Sequence, residues 1–145
     1  RAVDLLKEWG VTSALVHGGA SSACAFGDYP KCIGWPVTLS NPQDPSEVLE
    51  EVSLSAKALG GSGIRKGKHI IDPRTGHPVR TRRAAWVCSD SATKSDALST
   101  ASMVMTKEEI EKYVAGQPDL WAMIIEEGLE GEADIVLRFG AGSSA

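Results

Sequence analysis

In SDSATKSDALSTA (Ser89–Ala101), Asp96 and Thr100 stand four residues apart. On a helix that spacing puts a carboxylate and a hydroxyl on one face. Oxygen donors of this kind hold Mg²⁺, which keeps other positions for water and substrate phosphates. The same two residues have a plainer use, with Asp96 serving the helix dipole and Thr100 packing. A second set lies in KHIIDPRTGHPVR (Lys68–Arg80), where His69 precedes the apolar pair Ile70-Ile71 and an Asp-Pro-Arg-Thr-Gly turn. Ile70-Ile71 reads as a short buried strand that would hold a side chain at the lip of a pocket. A neutral imidazole there can take a proton from a hydroxyl near neutral pH, although His69 can equally be a structural histidine. Gly18-Gly19 in HGGASS and Ser62-Gly63 in GGSGIRKGKH put small residues where the backbone can approach an anion or a flat ligand, or simply turn.

Two familiar phosphate signatures fail. Gly67-Lys68 has Ser62 five residues before the glycine and His69 after the lysine, so it is not a Walker loop. Lys66 stands where the third glycine of a dinucleotide fingerprint belongs.

The chain has 145 residues, 42% hydrophobic and 23% charged, enough for one domain with a core. Its net charge of -4 argues against nucleic acid as a partner. The charge is uneven, however. Arg65–Arg83 carries seven Lys/Arg against the single acid Asp72. Such a basic zone suits a small phosphate-bearing ligand, or is a solvated loop. Cys24, Cys32 and Cys88 lack CxxC spacing and support neither a disulfide framework nor a zinc site. No apolar stretch approaches the roughly 20 residues of a membrane span.

The elements that must position these residues follow from periodicity. Ala2–Trp9 patterns as a helix, Val11–His17 as a strand closed by Gly18-Gly19, and Phe26–Pro36 as turns. Trp35–Leu39 alternates as a strand, and Val52–Ala58 as another that ends before Gly60-Gly61. Ala84–Ser89 reads as a strand. Thr93–Met105 reads as a helix capped by Thr93, and Thr106–Ala115 as a second with Glu108 and Glu109 in its first turn. Trp121–Ile125 and Ile135–Phe139 read as a hairpin. The fold class expected is α+β, mainly antiparallel strands with a few packed helices.

Taken in order, ALVHGG after RAVDLLKEWGV, GSG, HIIDPRTGHPV and SATKSDALSTA resemble the ApbE family of FAD:protein FMN transferases. The resemblance covers essentially residues 1–145 as one domain. It implies an ApbE-like fold and the C-terminal part of a family member, with the N-terminal part absent. Here the hairpin between Ser62-Gly63 and His69 shrinks to Ile64–Lys68. The activity implied is Mg²⁺-dependent transfer of the FMN moiety of FAD to a Thr or Ser hydroxyl of an acceptor protein, releasing AMP. The alternatives are Mg²⁺-dependent hydrolysis of FAD to FMN and AMP, and a non-catalytic flavin-binding fragment. By resemblance His69 is the base, and Asp96 and Thr100 hold Mg²⁺. Gly18, Gly19, Ser62, Gly63, His69, Asp72, Arg74, Thr75 and Gly76 border FAD, the substrate. The implied place is the periplasmic side of a bacterial cytoplasmic membrane, with or without a lipid anchor.

Overall fold

The structure, a computed structural model, describes residues 1–65, 67–130 and 132–140. It begins with helix α1 (Ala2–Glu8) and strands β1 (Ala14–His17), β2 (Ser22–Phe26), β3 (Trp35–Ser40), β4 (Val48–Leu54) and β5 (Ala58–Gly63). Then come β6 (Ile71–Asp72), β7 (His77–Pro78), β8 (Arg82–Ser89), α2 (Ala92–Ser102), α3 (Lys107–Ala115), β9 (Trp121–Glu126) and β10 (Ile135–Phe139). Six strands make one sheet in the order β1-β2-β5-β8-β9-β10, while β3-β4 and β6-β7 are separate two-stranded ladders. Every pairing is antiparallel. The α+β, mainly antiparallel architecture expected from the sequence is the one observed. Among the described residues, no helix is long and apolar enough to cross a membrane.

The pleat sorts the sheet into two faces. Trp121, Met123 and Ile125 of β9 pack with Ala84, Cys88, Leu39, Val52 and Leu54, so the β3-β4 hairpin covers one face. Ala122 and Ile124 pack with Ala85, Val87, Ile110 and Val114, so the helices cover the other. Each side chain from Trp121 to Ile125 is buried, which explains an apolar run without alternation in β9. Three layers result, with α2 lying over β5 and β8.

Several boundaries differ from expectation, each for a local reason. The alternation over Val52–Ala58 is not one strand. β4 stops at Leu54, Ala56 takes a left-handed φ of 51°, and β5 begins at Ala58. Gly60-Gly61 does not end a strand but sits inside β5. β2 forms in a stretch with no strand pattern of its own because it lies between β1 and β5. The α2 cap is Ser91, whose hydroxyl accepts from the Lys94 main-chain N–H, and not Thr93. Thr106 does cap α3, with a complete capping box to Glu109. α1 forms, yet none of its residues is buried. Of the pair expected to be buried, Ile70 is, while Ile71 is 47% exposed.

Candidate functional site

The site is built on the contact between β5 and α2. A Cβ on Gly60 would stand 2.4 Å from the carbonyl carbon of Ser95, so only glycine lets the helix lie this close. Ser95 is fully buried; its hydroxyl donates to the Ala58 carbonyl at 3.0 Å and meets the Ser89 hydroxyl at 2.8 Å. Two residues beyond Gly60, on the same face of the strand, Ser62 reaches the helix. Its Oγ lies 2.8 Å from Thr100 Oγ1 and 2.9 Å from Ser99 Oγ. Ser99 is fully buried and donates to the Asp96 carbonyl at 2.9 Å. Asp96 and Thr100 are exposed on α2, so a carboxylate and a hydroxyl do share an open helix face.

The turn after β1 adjoins this contact. Gly19 has a φ of +68°, and the Gly18 N–H donates to Ser22 across the turn. The Ser21 carbonyl accepts from Gly61 N–H at 2.7 Å, which ties the turn to β5. In an antiparallel ladder successive residues point their main-chain groups to opposite sides. Gly63 therefore faces the same way as Gly61, beyond the last β2–β5 pair, Ser22 with Gly60. The Ser21 carbonyl thus brings the Gly18-Gly19 turn beside Gly61 of β5, two residues before Gly63.

The Asp-Pro-Arg-Thr-Gly turn is held mostly by its own side chains. The Asp72 carboxylate accepts from the Arg74 main-chain N–H at 2.9 Å and from Arg74 Nε at 3.1 Å. The Asp72 carbonyl accepts from Thr75 and Gly76, and Gly76 has a φ of +70°. The Arg74 guanidinium also bonds Glu109 of α3 and the Val104 carbonyl. Hydrogen bonds from the Arg74 main chain and then its side chain hold the Asp72 carboxyl below its ordinary range. The Asp72 carboxylate in turn raises the Arg74 guanidinium. These two side chains shape the turn and anchor it to the α2–α3 junction.

Beside that turn lies a cleft of about 510 Å³, lined by Asp72, Thr75, His77 and Arg80 on one side and Met103–Thr106 on the other. Its wall includes Arg82, buried, which donates to the Ser102 and Met105 carbonyls and pairs with Glu126 at 3.2 Å. Arg82 thus satisfies a carbonyl that the end of α2 leaves without a helix partner, at Ser102, and one in the link to α3, at Met105. Sequence reading passed over Arg82 and Ser99, although Ser99 adjoins Thr100 in DALST and Arg82 opens the β8 run.

His69 is exposed, with Nδ1 2.9 Å from the Gly67 carbonyl. A carbonyl only accepts, so Nδ1 carries the hydrogen and the neutral ring presents its lone pair at Nε2. The structure joins Ser62 to Thr100 and Asp72 to Arg74. Among the described residues, His69 is hydrogen-bonded to neither pair. Also among them, no cluster of three His, Cys, Asp or Glu side chains forms a metal centre. The donors on offer are oxygens, the Asp96 carboxylate and the Thr100 hydroxyl one turn apart. That donor set fits Mg²⁺ with most of its coordination left to water and phosphate.

Comparison with known proteins places these features in context. The model of the ApbE family matches residues 1–124. The FAD:protein FMN transferase of Klebsiella pneumoniae (strain 342) is 27% identical over 136 residues, covering 86% of this chain and 38% of that protein. The protein of the same name from Rhodobacter capsulatus is 30% identical over 130 residues, 79% of this chain and 24% of that protein. The chain therefore spans well under half the length of these curated relatives. The apo flavinyl transferase ApbE of Pseudomonas stutzeri superposes with a TM-score of 0.75 at 23% identity, over 94% of this chain and 44% of that one. An ApbE protein of Thermotoga maritima gives 0.67 at 26% identity, over 85% and 42%.

Proposed function

The chain belongs to the ApbE family, and on that premise we propose that it forms part of a flavin transferase. The reaction is transfer of the FMN moiety of FAD to a Thr or Ser hydroxyl of an acceptor protein, with release of AMP. The relatives named FAD:protein FMN transferase support the transfer. The observation that carries the site is the 2.8 Å contact by which β5 holds Thr100 on the helix face it shares with Asp96.

Asp96 and Thr100 would hold Mg²⁺, and the bound ion supplies charge neutralisation for the pyrophosphate. His69 Nε2 takes the proton of the acceptor hydroxyl. The hydroxyl oxygen then bonds the FMN-side phosphorus, and the bond from that phosphorus to the bridging oxygen breaks. The bridging oxygen keeps the electron pair and leaves on AMP. Gly18, Gly19 and Gly63 leave room for phosphate oxygens to approach the main chain. The Asp72–Gly76 turn, fixed from within, keeps the segment after His69 in place, so the base and helix face need little ordering when substrate arrives.

The test mixes the natural full-length protein with FAD, MgCl₂ and an acceptor protein carrying a target threonine. Covalent flavin fluorescence on the acceptor, with AMP released in equal amount, is the expected result. Free FMN and AMP without labelling would assign hydrolysis instead. Bound FAD without turnover would leave only a binding role.

A further inference from the structure

The hydroxyls behind the Asp96–Thr100 face have a definite hydrogen direction. Ser99 is fully buried, and its Oγ lies 2.9 Å from the Asp96 carbonyl. A carbonyl cannot donate, so the Ser99 hydrogen goes there. Ser99 Oγ can then only accept from Ser62, 2.9 Å away. With its one hydrogen spent on Ser99, Ser62 must accept from Thr100, 2.8 Å away. The Thr100 hydrogen is therefore drawn inward. The competing partner of Thr100, the Asp96 carbonyl, is farther at 3.4 Å and already receives Ser99. It is also the acceptor of the helix ladder at that turn.

We propose that Ser62 and Ser99 form a hydroxyl relay that orients Thr100, turning its proton inward and both oxygen lone pairs outward toward the cation. Ser62 is thus a positioning residue for Mg²⁺ and does not itself contact substrate. The assignment rests on the Mg²⁺ site proposed above. A threonine hydroxyl free to rotate would present its hydrogen to a cation part of the time and repel it. Gly60 is what makes the relay possible, since any side chain there would lift α2 from β5 and move Ser99 and Thr100 away from Ser62.

The experiment titrates Mn²⁺ into the natural full-length protein, with ADP present to supply a pyrophosphate, and reads free Mn²⁺ by electron paramagnetic resonance. Thermal melting of every variant is followed in parallel. Ser62→Cys puts a slightly larger, weakly hydrogen-bonding thiol in place of the hydroxyl and so weakens the relay; Ser99→Ala breaks it one step deeper. The expected result is cation affinity lowered roughly three- to tenfold in both, the scale of one lost hydrogen bond, with the Ser62→Cys melting midpoint held close to the parent. Affinity equal to the parent in Ser62→Cys, or lowered only in step with a fallen midpoint, would overturn the relay. Asp96→Asn separates the two levels: if it too binds Mn²⁺ like the parent, the metal site fails and the relay with it. A weakened Asp96→Asn beside an unaltered Ser62→Cys leaves the site standing and removes the relay alone.

Discussion

Arg74 donates to Glu109 Oε2 at 3.2 Å while that same oxygen accepts from the Thr106 main-chain N–H at 2.7 Å. One carboxylate therefore closes the capping box of α3 and receives the turn that follows His69. Removing the guanidinium should loosen the turn without unfolding the helix, because the Thr106–Glu109 box persists. In Arg74→Gln, hydrogen exchange at the Thr75 and Gly76 amides is expected to quicken while the α3 amides keep their protection. Unchanged exchange at those two amides would show that the guanidinium does not hold the turn.

The Asp72 carboxyl gives the turn a pH dependence whose sign is fixed. Its folded value lies below the ordinary 3.8, chiefly through the Arg74 main-chain hydrogen bond. A depressed carboxyl contributes stability that is fully present above the unfolded value and lost as pH falls through the folded one. The stability difference between the parent and Asp72→Asn should therefore be constant from neutral pH down to about 4 and shrink below that. Urea unfolding at a series of pH values reads it. A difference that instead grows on acidification would reverse the assignment.

Two glycines should respond to alanine for different reasons. At Gly76 the added Cβ meets nothing within 4 Å, so the cost is the left-handed φ of +70° alone, about 1–2 kcal/mol. At Gly60 the Cβ would meet the Ser95 main chain at 2.4 Å, and neither the helix nor the sheet yields cheaply. The cost there is expected at about 1–3 kcal/mol or more. Gly60→Ala should also separate Ser62 from Thr100 and so lower cation affinity, which Gly76→Ala should not. Denaturant midpoints together with Mn²⁺ titration distinguish the two.

The same positions show how far the sequence could be read. The hairpin of Trp121–Ile125 with Ile135–Phe139 and the start of α3 at Thr106 depend on local signals, two short apolar runs and a capping residue with acids in the first turn, and both were legible. Asp96 and Thr100 were legible as a shared helix face because four-residue spacing needs only the helix. Gly60-Gly61 was not: a glycine pair ends strands in general, and only the helix on top of it makes glycine the residue the strand interior requires. β2 was hidden for a related reason, since Ser22–Phe26 owes its strand to neighbours on both sides and not to its own alternation. Ser62 was read as bordering a ligand through its main chain; its side chain turns to Ser99 and Thr100, a long-range contact that no spacing announces.

Thiol chemistry checks the layering. Cys32 is exposed, Cys24 half-buried and Cys88 buried. Burial raises the Cys88 thiol from 9.0 to about 11, so it stays protonated under ordinary labelling conditions. Iodoacetamide at pH 8, followed by mass spectrometry of peptides, should modify Cys32 first, Cys24 more slowly and Cys88 only on unfolding. Because the folded value is raised, the stability it contributes is present below pH 9 and lost as pH rises toward 11. Early modification of Cys88 in the folded protein would place it outside the layer between sheet and hairpin.

His69 carries the prediction that bears most directly on the chemistry. It is exposed, and among the described residues its one hydrogen bond runs to Gly67 two residues away, so its loss should leave the fold intact. That bond fixes the hydrogen on Nδ1 and leaves Nε2 to accept a proton. As base in the proposed transfer, its removal in His69→Ala should lower the rate of acceptor flavinylation by roughly 10²–10⁴-fold, the usual range for a positioned general base. The melting midpoint should hardly move, since the fold does not depend on the proton. His69→Gln supplies the control: an amide can keep the bond to Gly67 but cannot accept the proton at neutral pH, so it should be as slow as alanine. A glutamine variant that restores the rate would make the ring a hydrogen-bonding prop and would return the proton to water.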